Sequence, residues 1–281
     1  MKFFNLKNEI QDLLKEHISS SDMFKKNLIK EYLQVWVLEF LYSQKKYQNL
    51  IFYGGSCLKQ CFGLPRLSED LDFLDLEQNI DIEKLAYELE KYFKEKTKIN
   101  IIAKVQKFRI YLKFPILKNL NLANNSESDL LFIKVEIFKD NNFSKKYDYQ
   151  TIVRPIFRFN KSLLIKTFDL STLMSTKIQA ILFRQWEKTD KESGKTTIKV
   201  KGRDYFDLMW YLQQNIKPNF NCLKNIKNNK EFKEIILEKI KKIDESSIIL
   251  DIKNFIDDKD FVINLGKNIK QILQNLIKNK I

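Results

Sequence analysis

The sequence has a single histidine, His17, in 281 residues. A Ser-His-Asp triad, a Cys-His dyad or a multi-imidazole zinc site would have to use it. It stands in the helix-like segment LLKEHISS, where a solvated helix position is the expected role. Hydrolase mechanisms built on histidine are therefore set aside. Cysteine is scarce too: Cys57, Cys61 and Cys222. Cys57 and Cys61 are four apart and can share a helix face, but no second pair completes a zinc site, so buried thiols in a reducing compartment are expected. Six glycines and four prolines exclude collagen-like and low-complexity chains. No run of roughly 18 apolar residues occurs, so no membrane span is expected. The opening MKFFNLKNEI lacks the apolar core and cleavage site of a signal peptide, and the expected location is cytoplasmic.

What is present is an ordinary globular balance, 44% hydrophobic and 31% charged, enough for one large domain or two ordinary ones. Lys plus Arg total 50 against 36 Asp plus Glu, a net charge of +14. Only six of the cations are arginine: 66, 109, 154, 158, 184 and 203. A solvated lysine surface accounts for much of this. The same charge raises the local concentration of any polyanion. Carboxylates, lysines and a hard metal ion are the catalytic tools left.

Helical spacing of apolar residues marks 6–46, with Ser19–Asp22 offering a cap for a second helix. Asn49–Tyr53 reads as a short strand that runs into Gly54-Gly55 and a helix over Ser56–Phe62, broken at Gly63-Leu-Pro65. A strand is expected around Leu71, Phe73 and Leu74, and an amphipathic helix over 82–96. Two strands follow within 99–114, and another over Leu131–Phe138. A loop region is expected up to about residue 160. Ser171 is the expected cap of a helix from Thr172 to about Trp186. The charged stretch 188–202 reads as mobile, a lid, an RNA-contact loop or a plain insertion. Helix resumes over about 204–214, and the tail after Pro218 is helical.

The informative segment is YGGSCLKQCFGLPRLSEDLDF, residues 53–73. Paired glycines at a strand-to-helix junction let backbone approach a phosphate, and the Ser56 hydroxyl with the free amides of the helix start makes an anion site. Asp70 and Asp72 are i and i+2 on a strand, so their carboxylates share one face while Leu71 and Phe73 face the core. Such carboxylates repel unless a cation lies between them, and Mg²⁺, with its preference for oxygen ligands and substrate phosphates, suits the task. Glu136 in LFIKVEIF is a candidate third carboxylate, as metal ligand or base. Alternation places it with Lys134 and Phe138, so an exposed ion pair with a lysine is the competing role.

The ordered set of strand, GGS, short helix, Arg66, Ser68 and Asp-x-Asp resembles the signature of the DNA polymerase β-like nucleotidyltransferases. More narrowly, GGSCLKQCFGLPRLSEDLDF resembles the AbiEii/AbiGii toxin family, with its GG-T/S…R-x-S-x-D-L-D-F pattern. That family also carries a lysine on a later helix and an aspartate motif on the next. Here STLMSTKIQAILFR supplies Lys177 and Arg184, and GRDYFDLMWYL supplies Asp204 and Asp207.

The resemblance implies an α+β nucleotidyltransferase fold, a mixed sheet flanked by helices, over residues 1–168. A helical domain would follow over 169–281. It implies an Mg²⁺-dependent transfer of NMP from an NTP to an acceptor, with tRNA the leading acceptor, by the toxin half of a bacterial type IV toxin–antitoxin pair. A protein or small-molecule acceptor, or a non-catalytic nucleotide- or RNA-binding module, are the alternatives. In this reading Asp70, Asp72 and Glu136 hold metal. Gly54, Gly55, Ser56, Arg66, Ser68, Lys177 and Arg184 hold the nucleotide, with Lys177 offsetting charge on pyrophosphate. Asp204 is the functional aspartate of its motif, with Asp207 open to a capping role. Tyr205, Phe206 and Trp210 are expected in the core.

Overall fold

The computed structural model describes residues 6–123, 130–140, 146–184, 188–189, 196–198 and 200–281. The chain divides into two compact units, Met1–Phe143 with Thr151–Thr167, and Ser144–Gln150 with Phe168–Ile281.

The first unit opens with α1 (Leu6–Lys15) and α2 (Asp22–Ser43), the latter capped by Ser21, whose hydroxyl accepts from the Phe24 amide at 3.2 Å. Leu33, Val35, Trp36, Val37 and Leu38 of α2 are all buried, so the middle of this helix is covered on every side. His17 lies in the turn after α1, its ring 5.4 Å from Phe24, rather than inside a helix.

Next come β1 (Ile51–Tyr53), α3 (Gly54–Phe62), β2 (Asp70–Asp75) and α4 (Ile82–Thr97). Then follow β3 (Ile102–Gln106), β4 (Arg109–Phe114), β5 (Leu131–Lys139), β6 (Thr151–Arg158) and β7 (Lys161–Phe168). The seven strands form one sheet in the order β3-β4-β5-β2-β1-β7-β6. β2 pairs parallel with β5 and antiparallel with β1, while β1 pairs parallel with β7, so the sheet is mixed. The fold is α+β. One face of the sheet is core: Leu71, Phe73, Ile110, Leu112, Ile133 and Val135 are fully buried. Phe73 stacks on Phe52 at 5.1 Å, and Phe114 meets Phe93 of α4 edge-on at 5.0 Å.

The loop region expected up to residue 160 contains a strand, β6, over residues 151–158. Pro155 interrupts TIVRPIFR and removes a donor, which is tolerated because β6 is the edge strand of the sheet.

The second unit contains α5 (Leu170–Phe183), α6 (Gly202–Gln213), α7 (Asn229–Lys241), α8 (Glu245–Ile252) and α9 (Lys259–Lys280). The cap of α5 is Asp169, accepting from the Thr172 amide at 3.0 Å, not Ser171. Ser171 is the first turn's second residue, and its carbonyl accepts from Asn219 at 3.1 Å. Trp186 lies outside the described residues. So do 190–195 and 199 of the charged stretch. Its described part is a ribbon, β8 (Lys188–Thr189) antiparallel to β9 (Thr196–Ile198). α9 buries Val262, Leu265, Ile269, Leu273 and Ile277, a single helical seam. No helix among the described residues is long and apolar enough to cross a membrane.

Candidate active site

The paired glycines have two different jobs. Gly54 has φ +82°, and a β-carbon there would run into the Asp72 carboxylate. Only glycine permits both the backbone conformation and the approach of Asp72. At Gly55 a β-carbon would lie 2.9 Å from Arg66 Nη2 and from Ser68 Oγ. The bare backbone therefore lets the RLS segment close against the start of α3.

Arg66 and Ser68 are buried there. Arg66 Nη1 donates to the Leu67 carbonyl at 2.8 Å, and the Ser68 carbonyl accepts from Gln34 Nε2 at 3.1 Å. Ser56 is fully buried, and its hydroxyl donates to the Asp70 carbonyl. It ties α3 to the first residue of β2. Tyr53, the residue before α3, provides no side-chain cap, whereas Ser21, Asp81 and Asp169 cap their helices. The first-turn amides of α3 thus keep their capacity for an anion.

Asp70 and Asp72 are half-exposed on one face of β2. In the parallel register Asp70 faces Lys134 of β5 and Asp72 faces Glu136. Lys134 Nζ lies 3.0 Å from Asp70 Oδ2 and 3.1 Å from Glu136 Oε1. Arg109 of β4, opposite Glu136, reaches its Oε1 at 2.6 Å. Glu136 thus displays the ion-pair role. Glu136 itself is buried while its two cations stay partly exposed, and Arg109 is the nearer of them.

Burial pushes the Asp70 carboxyl above its ordinary range, and Lys134 pulls it back only in part. Burial works against the Lys134 ammonium, but Asp70 and then Glu136 outweigh it and hold its pKa above the usual lysine value. Beyond Asp72 the same side of the sheet carries rings. Tyr53 lies 6.3 Å from Phe138, and Phe108 4.6 Å from Phe138.

Among the described residues no group of three or more His, Cys, Asp or Glu side chains is arranged to hold a metal. Asp70 and Asp72 fit a divalent ion of a different kind. They are two hard oxygen donors on one accessible strand face, matching a cation that takes its remaining ligands from water and substrate phosphates.

The second unit has its own charged centre. Lys177 Nζ lies 2.8 Å from Asp204 Oδ1 and 2.8 Å from Asp207 Oδ2, and Arg184 Nη1 lies 3.1 Å from Asp204 Oδ2. The helix spacing that links Lys177 and Arg184 thus aims both at one carboxylate. Asp207 is fully buried on Lys177 rather than capping a helix. Burial alone would raise the Asp204 carboxyl, but Lys177, Lys201 and Arg184 together hold it below the usual range. Burial lowers Lys201 to about 8, with Asp204 opposing.

The start of α6 is set by α8. A β-carbon on Gly202 would come 2.9 Å from Ile248 Cα, and the Arg203 amide donates to Asp251 at 2.9 Å. Tyr205, Phe206 and Trp210 are buried core residues, and all three cysteines are buried thiols.

Sequence reasoning named Lys134 beside Glu136 from strand alternation, but passed over its contact with Asp70 and passed over Arg109, Lys201 and Asp251 as site residues. Arg109 requires the register of two strands, and Lys201 and Asp251 require tertiary packing.

A mixed sheet presents an aspartate pair beside a glycine-opened, uncapped helix start, and the family match makes the chain a nucleotidyltransferase. The family model for the nucleotidyl transferase AbiEii toxin of type IV toxin–antitoxin systems matches residues 39–275, and the chain belongs to that family. Membership brings an NTP substrate, a divalent metal and an antitoxin partner. The fold is shared with JHP933 from Helicobacter pylori, at TM-score 0.51 and 17% identity over 90% of this chain and 92% of that one. A provisionally assigned nucleotidyltransferase from H. pylori is similar at TM-score 0.45 and 16% identity, covering 89% and 96%. Among curated proteins no relative matches.

Proposed function

We propose that this toxin is an Mg²⁺-dependent enzyme that transfers NMP from an NTP to an RNA acceptor, with tRNA the leading candidate, and releases pyrophosphate. We further propose that residues 1–168 act as the nucleotidyltransferase domain and 169–281 as a helical domain. The observation that carries this reading is the placement of Asp70 and Asp72 on one face of β2 against Gly54.

Asp70 and Asp72 are the residues that would hold the metal, which when bound would supply positive charge against the transferred phosphoryl group. The first-turn amides of α3 bind phosphate oxygen, aided by the positive end of the helix. Ser56, Arg66 and Ser68 are positioning residues: they hold α3 and β2 in register. Glu136 holds Lys134 and Arg109 beside the aspartates. In the second unit Lys177, Arg184 and Asp204 form a required charged centre for nucleotide handling. The net charge of +14 supports a polyanionic acceptor.

The test is transfer of label from each α-labelled NTP, with Mg²⁺, to total bacterial RNA and lysate protein. Label in a tRNA-sized band that disappears with Asp70→Ala/Asp72→Ala is the expected result. Label in protein moves the acceptor to protein, and transfer that survives the double substitution overturns the assignment of the aspartates.

A further inference from the structure

The aspartate pair ends a set of cross-strand rows that run to the edge of the sheet. One row reads Lys104, Tyr111, Lys134, Asp70 across β3, β4, β5 and β2. A second reads Gln106, Arg109, Glu136, Asp72, and a third, shorter, reads Ile102, Lys113, Phe132. Residues in register point to one side of a sheet, so all of these share the face of Asp70 and Asp72.

That side is open. Ile102 is 57% exposed and Phe132 41%, and Lys104 and Gln106 are exposed as well. The other side of the same strands is the buried apolar core. An antiparallel sheet with one solvated face normally turns polar residues outward. Here the three rows carry two apolar side chains and a tyrosine interleaved with Lys104, Arg109, Lys113 and Lys134. Its one acid on β3–β5, Glu136, is already engaged by Arg109 and Lys134. Lys113 Nζ lies 5.6 Å from the centre of the Phe132 ring. From Phe132 the surface continues into a groove of about 330 Å³ lined by Met23, Lys26, Lys30, Leu117, Leu130 and Leu131.

We infer that this face is a docking platform for single-stranded RNA, leading an RNA end across β3, β4 and β5 to the Asp70–Asp72 site. The inference rests on the RNA-acceptor reading above. Flat rings and the Ile102 side chain offer stacking surfaces to bases whose faces are free, which a single strand presents and a duplex does not. The interleaved cations match the phosphates between those bases. From β3 to β2 is three strand spacings, roughly 14 Å, room for a short run of nucleotides before the reacting end.

The probe is a fluorescein-labelled single-stranded oligoribonucleotide of mixed sequence, its binding followed by anisotropy over a salt series. Lys104→Glu/Lys113→Glu should weaken binding about tenfold or more and make the slope of log K against log salt shallower by about 1.4, two contacts' worth. Phe132→Ala should weaken it about tenfold with the slope unchanged, the mark of a lost stack. Lys230→Glu/Lys242→Glu changes the charge equally but off the platform, and should keep the slope. Thermal melts confirm folding. If the first pair does not fold, Lys104→Glu/Gln106→Glu, both exposed, replaces it. Equal losses from the two lysine pairs, or native affinity in Phe132→Ala, overturns the platform and leaves the RNA reading standing. A native chain that binds no RNA overturns both.

Discussion

Lys134 of β5 faces Asp70 of β2 across the parallel pair, its ammonium 3.0 Å from the carboxylate that heads the Asp-x-Asp strand. The same ammonium reaches Glu136 at 3.1 Å. A protein cation therefore already stands beside the carboxylates that would take a divalent ion.

Removing that cation should favour the metal. Lys134→Met is expected to tighten Mn²⁺ binding to the nucleotide-free chain by about tenfold, in line with the roughly 1–4 kcal/mol of a charge pair at 4 Å between water and a partly buried site. A Mn²⁺ titration read by electron paramagnetic resonance checks this, and weaker binding in the variant contradicts it.

Gly54 and Gly63 separate backbone strain from site geometry. Both have positive φ, +82° and +78°, but a β-carbon at Gly63 meets nothing within 4 Å, whereas at Gly54 it strikes Asp72. Each alanine substitution should cost about 1–2 kcal/mol of stability for the backbone conformation. Gly54→Ala should also lose transfer activity by about 100-fold or more, while Gly63→Ala keeps it. Urea unfolding and the labelling assay, run side by side, distinguish the two effects.

The centre on Lys177 predicts unequal costs. Asp207 is fully buried, and Asp207→Ala takes away one of the two carboxylates that face the Lys177 ammonium, expected to cost about 3–5 kcal/mol. Arg184 is 40% exposed, and Arg184→Ala should cost about 0–1 kcal/mol. Chemical denaturation of the two variants gives the comparison. A mild Asp207→Ala would mean the pair is more hydrated than its burial implies.

Lys201 gives a pH signature. Burial lowers its folded pKa to about 8 from the ordinary 10.5. Between these values the unfolded chain binds the proton and the folded chain does not. The residue's contribution to stability is therefore lowest below pH 8 and rises up to about 10.5. Unfolding of the native chain and of Lys201→Met across pH 7.5 to 10.5 should show a difference that grows in favour of the native lysine. A flat difference contradicts it.

Much of this was readable along the chain because it is local. Alternation alone places Asp70 and Asp72 on one side and Leu71 and Phe73 on the other, as found. The Ser21 cap and the α4 boundaries follow from nearby side chains. The misses lie where two local options compete or where partners are distant. Asp169 and Ser171 are both good caps, and only the hydrogen bond to Thr172 chooses between them. Pro155 conceals β6 until its edge position is known. For Glu136 the pairing with Lys134 follows from alternation within LFIKVEIF, whereas the contact with Arg109 depends on the register of β4, which that segment does not encode.

The clamp on Gly202 has a consequence for how the gene product can be shortened. Every charged residue of the Lys177 centre lies before residue 208, which invites a trimmed version ending soon after α6. Yet the backbone of Ile248 presses on Gly202, and Asp251 holds the Arg203 amide. A protein stopped at residue 244 would retain every charged residue of that centre and lose the bracket that sets where their helix begins. The helical tail, poorest in recognisable motif, is thus inherited with the motif it braces.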